Sequence, residues 1–286
     1  MAIVVESTAS NSTSSSSNLT ITKPAGLQVG DLIVAPLTGY SPSGTFTTLS
    51  GWTLINSVRC SEGEVNVQYK VADSGDVAAS NFTFAAPSTT FNAGSLLRIS
   101  GYNSMAPIEF SDENADNSAP NPLAFTTSDT PSDGSLMILA FLGTNGAVSG
   151  AHTASNFLTT GLAATWTESH DVGIDLGLNS TVGAAAYANV TTGAAVSAYG
   201  VQFSATRTLA AGQFIVLAAR TDASGTNTLV TTTSEVFAQA GTADGNTSNS
   251  LVETDTVGFT QGGRGTSPDV WVGKTKTSGT WIDQTK

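Results

Sequence analysis

The chain has 286 residues, 40% of them hydrophobic, 7% aromatic and only 11% charged, against roughly 25% charged in ordinary soluble domains. Its net charge of −12 gives a surface that repels phosphate, which makes nucleic acid and anionic membranes poor partners. A single cysteine, Cys60, excludes an internal disulfide, and Met1–Glu6 carries neither the basic nor the apolar region of a signal peptide, so the expectation is a protein made in a cytoplasm, with no apolar run long enough to span a membrane as a helix.

Ala2–Glu6 reads as a short edge strand, and the Ser/Thr/Asn tract Ser7–Asn18 as a loop. Leu19-Thr20-Ile21-Thr22 alternates and ends at Pro24, which predicts a strand. Pro24-Ala25-Gly26 and Gly30-Asp31 are turn chemistry feeding the apolar run Leu32–Leu37. That run lacks strict alternation, which suits a strand buried on both faces or one capped by a loop. Ser41–Thr47 is a loop, and Gly51–Val58 a strand with Trp52 near its start. Val65–Val71 is apolar at every odd position, the signature of an antiparallel strand with one wet face. Asp73–Asp76 reads as a turn, and Phe82-Thr83-Phe84 and Gly94–Gly101 as strands.

The second half repeats this grammar. Gly30-Asp31-Leu32 matches Gly134-Ser135-Leu136, Trp52-Thr53 matches Trp166-Thr167, and Tyr69 matches Tyr187. Phe82-Thr83-Phe84 matches Val201-Gln202-Phe203, and Ala93-Gly94 matches Ala211-Gly212. The two half-repeats run over about 20–101 and 134–220, joined by the Pro/Asn/Asp-rich stretch Met105–Asp129, read as a surface linker. Halves this small bury little surface alone. The expectation is therefore one all-β domain over 1–220, a two-sheet antiparallel sandwich of jelly-roll type to which both halves contribute strands. Residues 221–286 are read as a β extension or arm with short strands lacking hairpin partners and no third copy of the repeat.

Chemistry is sparse. Ser169-His170-Asp171 holds the triad residue types consecutively, but in a strand neighbouring side chains face opposite ways, so the histidine reads as turn-flanking. Glu62 and Glu64 have the spacing of a carboxylate pair, but Val67 stands where a jelly-roll hydrolase has its second glutamate, which leaves a solvated turn. Ser111–Asn117 is the densest acidic loop, and Asp112, Glu113 and Asp116 are its Ca²⁺ candidates, without EF-hand spacing. No catalytic residue and no cofactor is assigned. Trp52 and Trp166, at equivalent repeat positions, read as packing residues. Trp271, Trp281, Phe237 and Phe259 in the arm are the interface candidates.

The phrases Thr22-Lys23-Pro24-Ala25-Gly26, Gly30-Asp31-Leu32, Gly51-Trp52-Thr53-Leu54, Tyr69-Lys70-Val71-Ala72 and Ser132-Asp133-Gly134-Ser135-Leu136 resemble a β-sandwich module of tailed-phage virion proteins and some bacterial surface proteins. The resemblance covers roughly 20–220 and marks turns and strands, with no site to carry over. It implies a non-enzymatic virion component, foremost a capsid cement or decoration protein. Its partners would be the major capsid protein or other virion proteins, and its own copies in a trimer. The alternative is a carbohydrate- or receptor-binding tail-fibre module with a surface glycan as ligand.

Overall fold

The computed structural model describes residues 3–14, 18–86, 91–118, 121–145, 152–175 and 180–220, and six short strands between 227 and 284. Ala2–Arg220 form one compact unit, and Thr221–Lys286 belong to another.

In the first half the strands are β1 (Val4–Thr13), β2 (Asn18–Thr22), β3 (Leu32–Tyr40), β4 (Thr53–Cys60), β5 (Gly63–Val71), β6 (Asn81–Ala85) and β7 (Phe91–Ser100). The Asp73–Asp76 stretch, expected as a turn, starts the one-turn helix α1 (Ser74–Ala78). Asp73 caps it by accepting from the Gly75 and Asp76 amides, while the Asp76 carboxylate accepts from the Asp73 amide, a capping box. The second half contains β8 (Ile108–Asp116), β9 (Leu123–Thr126), β10 (Leu136–Asn145), β11 (Ala154–Thr160), β12 (Thr167–Asp175), β13 (Ser180–Asn189), β14 (Ala198–Phe203) and β15 (Leu209–Leu217).

Two five-stranded antiparallel sheets result, ordered β1-β7-β3-β5-β4 and β8-β15-β10-β13-β12. Strand for strand the orders coincide. The register coincides as well. Tyr69 lies between Val34 and Thr53, and Tyr187 between Ile138 and Thr167. Even the β-bulges recur, with the extra residue at Glu6 and Glu109 on the first strand, and at Ile55 and Ser169 on the last. The halves are thus pseudo-repeats. Trp52 and Trp166 each precede the equivalent edge strand.

The sheets stack face to face, with β3 against β10, β7 against β13, β5 against β15, and the last strand of each sheet against the first of the other, β4 against β8 and β12 against β1. Leu32, Val34, Val67, Leu97 and Ile99 meet Leu136, Ile138, Ala140, Ala185 and Ile215 between them. Each buried Val, Leu or Ile side chain contributes roughly 1.5–3 kcal/mol. The halves do not interleave strands. Each supplies one whole sheet, in which only β4–β5 and β12–β13 are hairpins of consecutive strands and the other neighbours are joined by crossovers. Leu32–Leu37 and Leu136–Leu142 are buried on both faces, as their lack of alternation implies. The outward faces are covered too. Leu19, Ile21, Phe82 and Phe84 from the β2–β6 pair close over Ile33, Ala35 and Leu37. The β11-β14-β9 sheet brings Phe157, Tyr199 and Phe125 onto Leu139, Phe141 and Phe214. The domain is therefore four β-layers, with the predicted two-sheet sandwich at its centre.

Three expectations need correcting. The tract after Ser7 is not loop up to Asn18, because β1 continues to Thr13. Pairing with β7 fixes its backbone, and its short polar side chains bond to neighbouring chain, Ser7 Oγ to the Ala25 carbonyl at 2.8 Å and Asn11 Nδ2 to Thr20 at 2.7 Å. Met105–Asp129 is not a plain linker, since β8 completes the second sheet and β9 its cover. In the arm, β20 (Gly273–Thr277) and β21 (Thr280–Gln284) do form a hairpin. The other arm strands are β16 (Asn227–Val230), β17 (Phe237–Ala240), β18 (Asn249–Val252) and β19 (Phe259–Gly262).

Candidate functional site

His170 does not flank a turn. It lies within β12, 5% exposed, between the two large sheets. The bulge at Ser169 brings Ser169 and His170 both to Ser95 of β7. Ser95 Oγ is 3.0 Å from His170 Nδ1 and donates to Ser169 Oγ at 2.9 Å, and Ser169 Oγ donates to the Ala185 carbonyl at 3.1 Å. This direction of donation leaves His170 Nδ1–H as the donor to Ser95. A serine nucleophile needs the reverse, its own proton directed at the imidazole. Asp171 takes no part, because its carboxylate accepts from the Ala154 amide at 3.0 Å. Burial pushes the imidazole pKa down to about 3, so it is neutral at physiological pH, with Nε2 buried and unpartnered. The cluster is a polar island inside the sandwich.

Glu62 and Glu64 also diverge. Glu62 Oε2 accepts from Thr144 of the opposite sheet at 3.3 Å. Glu64 is no solvated turn residue, being fully buried on the outward face of β5. It accepts from the Phe46 amide at 2.7 Å and from Ser57 Oγ at 2.5 Å. Asn66 and Gln68 continue the row along β5, with Gln68 Nε2 donating to Asn66 at 2.9 Å and Gln68 Oε1 accepting from the Leu49 amide at 2.9 Å. The row pins the irregular segment 41–52 across the sheet.

The acidic stretch Ser111–Asn117, expected as a loop, is mostly strand β8. Asp112 and Asp116 are four residues apart on one face, roughly 13 Å at strand rise, and Glu113 points the other way. Asp112 accepts from the Glu113 amide and Asp116 from the Ser118 amide and hydroxyl. Among the described residues no group of three carboxylate, histidine or cysteine side chains is placed to hold a metal.

Trp52 is buried in the cover of the first sheet, edge-on to Phe82 at 5.6 Å and Phe84 at 5.4 Å, and Trp166 packs partly buried in the second cover. Of the arm's aromatics, Trp271 lies outside the described residues. Phe237 of β17 is register partner to Phe259 of β19, and Trp281 of β21 to Lys276.

One open cleft of about 460 Å³ lies at the end of β12 and β13, lined by Thr165, Thr167, Tyr187, Ala188, Asn189 and Thr191 among others. The repeat shows why it is open. In the first half the equivalent of Ala188 is Lys70, whose ammonium reaches Asp73 at 3.0 Å and Asp76 at 2.8 Å, and passes over Gly51, the equivalent of Thr165. Where the first half has an ion cluster and helix α1, the second has small neutral side chains and hydroxyls. Sequence reading missed this cleft, although the Lys70/Ala188 difference was visible once the halves were aligned. Comparison of the chain with protein-family models, with curated proteins and with solved structures finds no match.

Proposed function

We propose that the chain is a non-enzymatic structural protein of a phage virion, a capsid cement or decoration protein that stabilises the head through subunit contacts. It would be made in the host cytoplasm and join the virion as a homotrimer, with residues 221–286 meeting sister copies and the major capsid protein. The observation that carries this reading is the use made of chemistry-bearing side chains in the sandwich. His170, Ser95, Ser169, Glu62 and Glu64 each bond to another layer or pin a covering segment. The turn-and-strand phrases that resemble virion modules support it further, since they lie at the entries to β3, β4 and β10 and at the exit of β5. The test is to band particles from the producing lysate by density and probe them for the chain. The reading expects it in the band, and a lower particle melting temperature when 221–286 is deleted. A band free of the chain overturns it.

The cleft at Thr165 and Thr191 favours a second reading, a glycan-binding fibre module, because hydroxyls, an amide and one phenol suit a neutral polyol. Against it, the exposed large hydrophobic residues among those described are Val4, Val29, Leu54, Val71 and Met105, with no aromatic platform. Glycan-array binding abolished by Thr165→Trp would favour this reading over the first.

A further inference from the structure

The arm contains a short repeat of its own. Asn227-Thr228-Leu229-Val230 recurs as Asn249-Ser250-Leu251-Val252, Thr232 as Thr254, and Phe237-Ala238-Gln239-Ala240-Gly241 as Phe259-Thr260-Gln261-Gly262-Gly263. Every matched pair is 22 residues apart, the length range of stacked-coil repeats. The backbone agrees independently. β16 pairs with β18 in parallel, Asn227 opposite Asn249 and Leu229 opposite Leu251. β17 pairs with β19 in parallel at the same displacement, Phe237 opposite Phe259 and Gln239 opposite Gln261. Each strand thus pairs with the second strand after it, which is the connectivity of two stacked coils with two strands per coil.

We infer that β16–β19 are two layers of one stacking unit, and that the stack is continued by the same segment of a second copy of this chain. This rests on the reading of residues 221–286 as the assembly segment, and names what that segment meets. Two-stranded sheets are marginal in water, and coil stacks need about three layers for a stable core. Among the described residues, no strand pairs with the outer edges of these two sheets. Their sequences, Asn-Thr-Leu-Val, Phe-Ala-Gln-Ala, Asn-Ser-Leu-Val and Phe-Thr-Gln-Gly, hold no charge and no proline, the devices by which edge strands resist further pairing. Strand pairs that already place Leu229 opposite Leu251 and Phe237 opposite Phe259 in register present the same backbone pattern at their edges. The occupant that matches it layer for layer is another copy.

The full chain is measured by size-exclusion chromatography with light scattering over a range of concentrations, and by amide hydrogen exchange over the same range. The expected result is a mass at least twice the 29.0 kDa of one chain, with protection of 227–230 and 237–240 rising with concentration. Leu229→Lys with Leu251→Lys is expected to return the mass to one chain and remove the concentration dependence. Exchange in 32–40 and 136–144 should be unchanged, showing the sandwich intact. A wild-type mass of one chain at every concentration, or an undiminished mass in the double variant with its sandwich intact, overturns the inference. Self-association without the chain in banded particles would overturn the virion reading alone. Particle association of a chain that is monomeric in solution would overturn this one alone.

Discussion

Replacing His170 by Asn is the most direct probe of the sandwich interior, because Asn56 already occupies the equivalent position beside the bulge of β4. His170 is 5% exposed and its pKa is depressed by burial from 6.5 to about 3. The unfolded chain therefore takes up a proton that the folded chain refuses. Stability is fully present above about pH 6.5 and is lost as the pH falls towards 3. Between pH 7 and pH 5 the linkage relation gives a loss of about 2 kcal/mol from this one group. Asp171 and Glu113, whose pKa values burial raises, run in the opposite sense, but they are common to both proteins. Urea unfolding of wild type and His170→Asn at pH 7 and pH 5 isolates the histidine as the difference between two differences. The wild type should lose about 2 kcal/mol more than the variant over that interval. Equal pH dependence would refute the assignment of a neutral imidazole sealed between the sheets.

Three further outcomes follow from packing. Phe141→Ala removes a ring that meets Phe125, Phe157 and Tyr199, and should cost about 3–5 kcal/mol in urea unfolding. Glu64→Leu leaves the Phe46 amide and Ser57 hydroxyl without their acceptor. It should cost about 2 kcal/mol or more, and hydrogen exchange should show the Phe46 and Leu49 amides opening before the sheets. Gly183→Val places a Cβ 2.0 Å from Thr38 Oγ1 and should cost about 3 kcal/mol. Combining it with Thr38→Ala should recover part of that loss, and strict additivity of the two changes would count against the contact.

The strands with strong patterning were legible in the sequence. β3 and β10 are apolar without alternation because sheets cover both their faces, and β5 alternates on its inward side. The five landmarks shared by the halves map onto equivalent strands because turn chemistry such as Gly30-Asp31 and Gly134-Ser135 recurs with them. β1 was hidden because its strand state comes from pairing with β7, and its composition alone favours loop. β8 was hidden for a related reason, since an edge strand tolerates Asp, Glu and Asn on exposed faces. The buried row Glu64-Asn66-Gln68 read as a wet face because alternation distinguishes polar from apolar but not wet from covered. The 22-residue repeat of the arm went unseen for want of the right period. Its matches are short, and its register shows only where β16 meets β18 and β17 meets β19.

The two halves serve as each other's control. Their shared features are the strand order, the register, four bulges and the apolar contact between sheets, all of which depend on the pairing of one sheet with its pseudo-symmetric twin. Between the sheets they differ at a few polar positions, Asn56 against His170 and Ser95 against Gln213, and their larger differences lie on the outward faces. On β5 the outward row is Glu64, Asn66 and Gln68, while the equivalent row on β13 is Val182, Ala184 and Ala186. In the irregular segment 41–52 the Phe46 and Leu49 amides and the Thr47 carbonyl are met by side chains of the sheet beneath, which supplies them polar partners. β11 pairs with β14 and satisfies its own backbone, so small apolar residues suffice below it. The same trade sets Lys70 and its two aspartates against Ala188 and the open cleft. A duplicated frame that keeps its central contact largely apolar has most freedom to vary in its covers. Recognition by the sandwich is therefore to be sought on the covers, at 41–52 and 161–167, and not between the sheets, where residues of both halves are buried against one another.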